Sequence, residues 1–287
     1  MSDGATGTVV EAGPSEIQRP SETQRRAAPV FTIDSPWIRR AARRSARLRL
    51  VCVPYAGGGA SVFRDLPDLL PPSIEVLTLQ LPGREDRSGE DPPNDVHRLA
   101  KACAVALRPY LGTPFAFYGH CAGALLANEV AHEVGRRFGT WPTRLVAGAQ
   151  PAPGLPVAGR RTLHQLPDDG LLDVVAERGG LVDALFRRPE LVDMFLRLLR
   201  SDFTLWETYR YESLGLLPCP VTTVRGRDDD LVDAGQTAQW AKHTSGGWTE
   251  LEVDGGHYFV TGLDATDAGA LARVLLADGG SDEHRQQ

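Results

Sequence analysis

The chain has 287 residues, 42% of them hydrophobic and 24% charged, with a formal net charge of −6, the profile of an ordinary globular protein long enough to bury one sizeable core. The charge is uneven, because residues 1–50 hold nine Arg against five acidic residues and the remainder carries the acidic excess. An acidic body repels phosphates, and no basic stretch with interleaved aromatics follows residue 50, so nucleic acid is not expected as a partner.

Cys52, Cys103, Cys121 and Cys219 are widely spaced, with no C-x-x-C pair and no His cluster at ligand spacing. That pattern argues against a disulfide framework or a metal site and fits a reducing cytoplasm. The apolar runs are too short to cross a bilayer, and Met1-Ser2-Asp3-Gly4 lacks the basic-then-apolar order of a secretory signal, so neither export nor membrane anchoring is expected.

Residues 1–33 mix Gly, Ser, Pro, Glu, Gln and Arg without an apolar period and read as a disordered tail ahead of a domain over 34–278. Within 34–47, Trp37 and Ile38 can dock on that domain, while Arg39, Arg40, Arg43, Arg44 and Arg47 are expected to stay solvated or to meet an acidic partner. Leu48–Val53 reads as a strand ended by Pro54 and the glycine loop Tyr55 to Ser61, and Glu75–Leu81 as a second strand closed by Pro82-Gly83. Asp95–Leu111 predicts an amphipathic helix capped by Asn94 or Asp95.

A third strand, Phe115–Tyr118, runs straight into Gly119-His120-Cys121-Ala122-Gly123, after which Ala124–Val134 reads as a helix and Arg144–Ala149 as a strand. Strands alternating with helices build a mostly parallel sheet covered on both faces, which sets the fold class as α/β. The alternation stops over about 160–213, where helical patterns predict an inserted lid. It resumes with a strand at Val221–Val224, a helix near Ala234–His243, a strand at Thr249–Val253 and a helix near Ala268–Leu276, before a polar tail over 279–287.

Gly-x-nucleophile-x-Gly between a strand and a helix is the nucleophile elbow of the α/β-hydrolase fold, in which small neighbours permit a strained turn that lifts the nucleophile clear. Here Cys121 holds that position, and the start of a helix favours its thiolate. The partners follow in the chain order of that fold, nucleophile, acid, then His. His257, in Gly255-Gly256-His257 past a late strand, is the candidate general base. His97 and His132 fall in helices, and His120 is expected to shape the elbow.

The acid lies just after Val221–Val224, where Asp228, Asp229 and Asp230 compete; three residues after Gly226 selects Asp229, with Asp228 the alternative. The backbone N–H of Ala122 and one from the loop after the first strand would supply the oxyanion hole. A phosphate cradle is disfavoured, since no Gly-Lys-Ser/Thr follows that loop. Cys52, Cys103 and Cys219 read as small buried apolar residues.

With these residues in view, the chain resembles the stand-alone type II thioesterases that accompany modular polyketide and nonribosomal peptide synthetases. The matching blocks are Pro54 to Ser61, Leu81-Pro82-Gly83-Arg84-Glu85, Gly119 to Ala127, Asp202-Phe203 with Glu207-Thr208-Tyr209-Arg210-Tyr211, Gly226 to Asp229, and Gly255-Gly256-His257. They span roughly residues 35–276.

The resemblance implies an α/β-hydrolase fold, a helical lid, no cofactor or metal, and an acyl thioester presented on the phosphopantetheine arm of a carrier protein. By position it implies Cys121 as nucleophile, His257 as base, Asp229 as acid, and Ala56 with Ala122 as oxyanion donors. The family usually has Ser where Cys121 stands. An acyl-Cys is itself a thioester that a second carrier thiol can reclaim, so carrier-to-carrier transfer stands beside hydrolysis as an expected activity. A metabolite esterase and a non-catalytic carrier-binding module are further readings. The chain is expected to be a monomer.

Overall fold

A computed structural model describes residues 8–10, 31–155, 162–177 and 189–277. Among them nine strands form one sheet: β1 Thr8–Val10, β2 Thr32–Ser35, β3 Ile38–Ala41, β4 Leu48–Val53, β5 Ile74–Leu79, β6 Phe115–His120, β7 Leu145–Gly148, β8 Val221–Gly226 and β9 Trp248–Val253. Their order is β1-β9-β8-β7-β6-β4-β5-β3-β2. All neighbours from β1 to β5 are parallel, and only β5–β3 and β3–β2 run antiparallel.

Residues alternate between the two faces of each strand, as a period of two requires. Val51, Val53, Phe115, Phe117, Leu145 and Ala147 join one apolar cluster with helices α2 (Val96–Leu107) and α3 (Ala122–Phe138). Leu50, Cys52, Ala116, Tyr118 and Val146 join the other with α1 (Leu66–Leu69) and the C-terminal helix, labelled α7 (Ala265–Leu276). Near-continuous apolar strands thus sit between two helical layers, the arrangement of a buried parallel sheet. The α/β-hydrolase class expected from the alternation is the class observed.

Between β7 and β8 lie α4 (Asp168–Glu177) and α5 (Pro189–Thr208), and α6 (Ala234–Ala238) follows β8. Leu163, Leu171, Val174, Leu196, Leu199 and Phe203 form a separate small apolar cluster. The segment expected as a lid also includes 156–161 and 178–188, which lie outside the described residues, as do 1–7, 11–30 and the polar tail.

Two N-terminal expectations differ from the structure. Thr8–Val10, read as tail, pairs in parallel with β9, whose outer edge otherwise presents unpaired backbone groups. Residues 32–41 form the β2–β3 hairpin, and the arginines of β3 are ion-paired: Arg39 is 7% exposed and pairs with Asp86, and half-buried Arg40 pairs with the buried Glu75 at 3.0 Å. Those acids stand 35 to 47 residues away in the chain, so a local reading of charge had no access to them.

Candidate active site

The sheet reverses its winding between β4 and β6. These strands are neighbours, yet the chain leaves β4 for β5 on one side and returns to β6 on the other. Loops after the strands diverge at such a switch point and leave a crevice at the carboxyl edge. Four expected site residues or their loops emerge from that edge: the Ala56 loop after β4, Cys121 after β6, Asp229 after β8 and His257 after β9.

At the end of β6 the chain turns within one residue into α3. Cys121 takes φ 51° and ψ −127°, a region costly to a residue with a side chain, about 1–3 kcal/mol. Its N–H donates to Gly148 O at 2.8 Å and its carbonyl accepts from Ala124 N–H at 2.8 Å, which hold the turn. No side chain fits on either glycine of the motif. A Cβ on Gly119 would lie 2.3 Å from Gly123 O, and one on Gly123 would lie 2.3 Å from Val53 O. The elbow therefore presses against the end of β4, bringing α3 and the Ala56 loop together.

His257 is 8% exposed and its Nδ1 lies 3.0 and 3.2 Å from the two Asp229 carboxylate oxygens. Asp229 is the carboxylate on the imidazole; Asp228 and Asp230 are exposed. With Nδ1 so engaged, the other nitrogen remains for the hydrogen bond that His257 shares with Cys121. Burial pushes the imidazole pKa down, but the thiolate charge of Cys121, the bond to Asp229 and the bond to Cys121 overrule it and raise the value to about 10. Burial alone would push Asp229 up, and the His257 hydrogen bond holds it below the usual aspartate range. The arrangement supports a thiolate–imidazolium pair oriented by a carboxylate.

His120 is fully buried and donates from Nε2 to the carbonyl of His257 at 2.7 Å. Burial, reinforced by the His257 charge, lowers its pKa to about 3, so it is a neutral strut between the elbow and the His257 loop. Tyr258 stacks edge-on against His257 and against Tyr55. Tyr55 is raised by burial and by the Cys121 charge. His97 pairs with Glu129 at 3.3 Å, and His132 is buried and lowered to about 4 by desolvation. Neither belongs to the Cys121 cluster. Cys52, Cys103 and Cys219 are buried, and burial raises Cys103 to about 12.

In the loop after β4, the amides of Gly57, Gly58, Ala60, Ser61 and Val62 each have an acceptor. That of Ala56 has none among the described residues. Ala122 N–H, the first of α3, lies outside the helix's own ladder. Arg84 and Asp202 carry no role in the sequence patterns above, although both fall in the matching blocks. They form a buried ion pair at 2.9 Å against this loop. Their contact spans 118 residues, and no local pattern marks it. No group of His, Cys, Asp and Glu among the described residues has metal-holding geometry, and no described helix is long and apolar enough to cross a membrane.

The thioesterase domain family matches residues 48–275 of the chain. Thioesterase PikA5 of Streptomyces venezuelae is 37% identical over 227 residues, 78% of this chain and 80% of that protein. Gramicidin S biosynthesis protein GrsT of Aneurinibacillus migulanus is 32% identical over 216 residues, 75% of this chain and 84% of that protein. Among solved structures, the type II thioesterase BorB from the borrelidin biosynthetic cluster superposes with a TM-score of 0.75 at 34% identity, covering 85% of this chain and 99% of BorB.

Proposed function

The chain belongs to the thioesterase domain family, and from that premise we propose that it is a type II thioesterase of polyketide or nonribosomal peptide biosynthesis that removes acyl groups from carrier proteins through an acyl-Cys121 intermediate. The observation that carries the reading is the hydrogen-bonded line from Asp229 through His257 to Cys121, at a strained turn beside the amides of Ala56 and Ala122, which have no acceptor among the described residues.

In this mechanism the Cys121 thiolate attacks the thioester carbonyl carbon, and the oxyanion takes the N–H groups of Ala56 and Ala122. The tetrahedral adduct collapses by breaking the bond to the pantetheine sulfur, which takes the His257 proton as it leaves. Neutral His257 then removes a proton from water, whose oxygen attacks acyl-Cys121; collapse breaks the carbon–sulfur bond, releases the acid and leaves the Cys121 thiolate beside imidazolium His257. Asp229 holds the imidazole orientation throughout and favours its charged form. The helices between β7 and β8 serve as the lid over the acyl group.

The sulfur at the elbow favours a second reading. Acyl-Cys121 and an acyl carrier are both thioesters, so attack by a second carrier thiol in place of water is close to isoenergetic and reversible. Incubation with an acyl-loaded carrier, followed by intact mass of both proteins, tests the two. Free acid with an unmodified enzyme is expected. An adduct that persists until an empty carrier discharges it would replace hydrolysis with transfer, and neither adduct nor turnover on any acyl carrier would reduce the chain to a binding module. Cys121→Ser, which forms an oxyester, should keep hydrolysis and abolish transfer.

A further inference from the structure

We infer that Asp202, paired with Arg84, is a positioning residue that sets the oxyanion loop, so the hole is complete only while α5 is docked. Gly57 N–H donates to Asp202 Oδ2 at 2.7 Å, and the same oxygen accepts from Arg84 Nη1 at 3.0 Å. Arg84 Nη2 reaches Asp202 Oδ1 at 2.9 Å, and Nη1 also donates to Gly58 O at 3.0 Å. Both side chains are 3% exposed, so water cannot replace either partner and the geometry is stiff.

The pair thus fixes one N–H and one C=O of the two residues that follow Ala56. Engaging Gly57 N–H removes it as a competing donor, and the amide of Ala56 has no acceptor among the described residues. Contact reinforces the bond. Gly57 adopts φ +80°, which favours glycine, and a Cβ there would lie 2.6 Å from the Leu199 side chain on α5. Ala56 itself packs against the apolar cluster that holds Leu199 and Phe203. Behind the loop, Gln80 accepts from Ala60 N–H at 2.8 Å and donates to Arg84 O at 2.9 Å, so the Leu81 to Glu85 segment templates one side while α5 supplies the other.

This inference rests on the thioesterase reading and is tested by comparing two reactions of one thiol. Acylation of Cys121 by a short-chain acyl thioester of N-acetylcysteamine passes through an oxyanion; alkylation by iodoacetamide does not. For Asp202→Ala, acylation should slow by about 10²–10³-fold, the effect of losing one oxyanion donor, while alkylation proceeds at the wild-type rate or faster. Asp202→Asn keeps an acceptor for Gly57 and spares folding; its acylation should fall about tenfold through kcat with KM unchanged.

Wild-type acylation in both variants overturns the inference, as does an equal loss in both reactions, which would make Asp202 a general prop. Wild-type enzyme that is alkylated at Cys121 but acylated by no thioester overturns the thioesterase reading itself, a result seen before any variant is compared.

Discussion

The sheet with its elbow and the helices inserted between β7 and β8 are held by different physics. From β4 to β9 each strand is fixed by ladders on both sides and by two apolar layers, so position is shared among many weak terms. The inserted helices have a small cluster of their own and a few polar anchors. Asp202 grips Arg84 and Gly57, Glu207 accepts from Leu163 N–H at 2.8 Å, and Tyr209 donates to the buried Glu129. Sensitivity is therefore unequal: the sheet tolerates loss of one contact, whereas the insert depends on single side chains whose buried partners are costly to strand.

The largest effect should come from the rigid side. Cys121→Ala is expected to lower thioester turnover by about 10⁵–10⁶-fold with an unchanged fold, read as product release. Asp229→Asn should cost about 10⁴-fold in kcat by losing the orientation and charge that favour imidazolium. Asp228→Asn, on an exposed side chain, should stay within about threefold; reversed values would exchange the two aspartates.

A titration sharpens the same region. Because folding raises His257 to about 10, its contribution to stability is fully present below the unfolded value, about 6.5, and is lost as pH rises through about 10. NMR titration of the His257 ring should show that high value in the native protein. In Cys121→Ala, which removes the thiolate charge, the titration should move to lower pH; an unmoved titration would mean that the thiolate does not hold the proton there.

At Glu207 the effect stays within the insert. Glu207→Ala strands the amides of Leu163 and His164 and should cost about 1–3 kcal/mol locally. Hydrogen exchange at those amides should quicken while the amides of β4 and β6 keep their protection. Uniform loss of protection would show that insert and sheet unfold as one unit.

Cys121 was legible as the elbow residue because the constraint is local: Gly119 and Gly123 are required by atoms within a few residues and by β4, and the flanking strand and helix announce themselves by period. The spacing from Gly226 likewise singled out the aspartate whose carboxylate lies on His257. The β2–β3 hairpin was hidden because its arginines are neutralised by Asp86 and Glu75. Neither acid is near it in the chain. His120 was read as shaping the elbow, but its bond to the His257 carbonyl joins positions 137 residues apart.

Short-range stereochemistry is legible in the residue order: the alternation of strands and helices, the turn at Cys121 and the order of its candidate partners. Tertiary structure alone decided what depends on long closure. It chose Arg84 and Asp202 as a buried pair across 118 residues and used that pair to occupy Gly57 N–H, while the amide of Ala56 has no acceptor among the described residues. The physical reason is that a backbone turn is set by its own few residues, whereas the partner of a buried charge is set by which chain segments the sheet brings together.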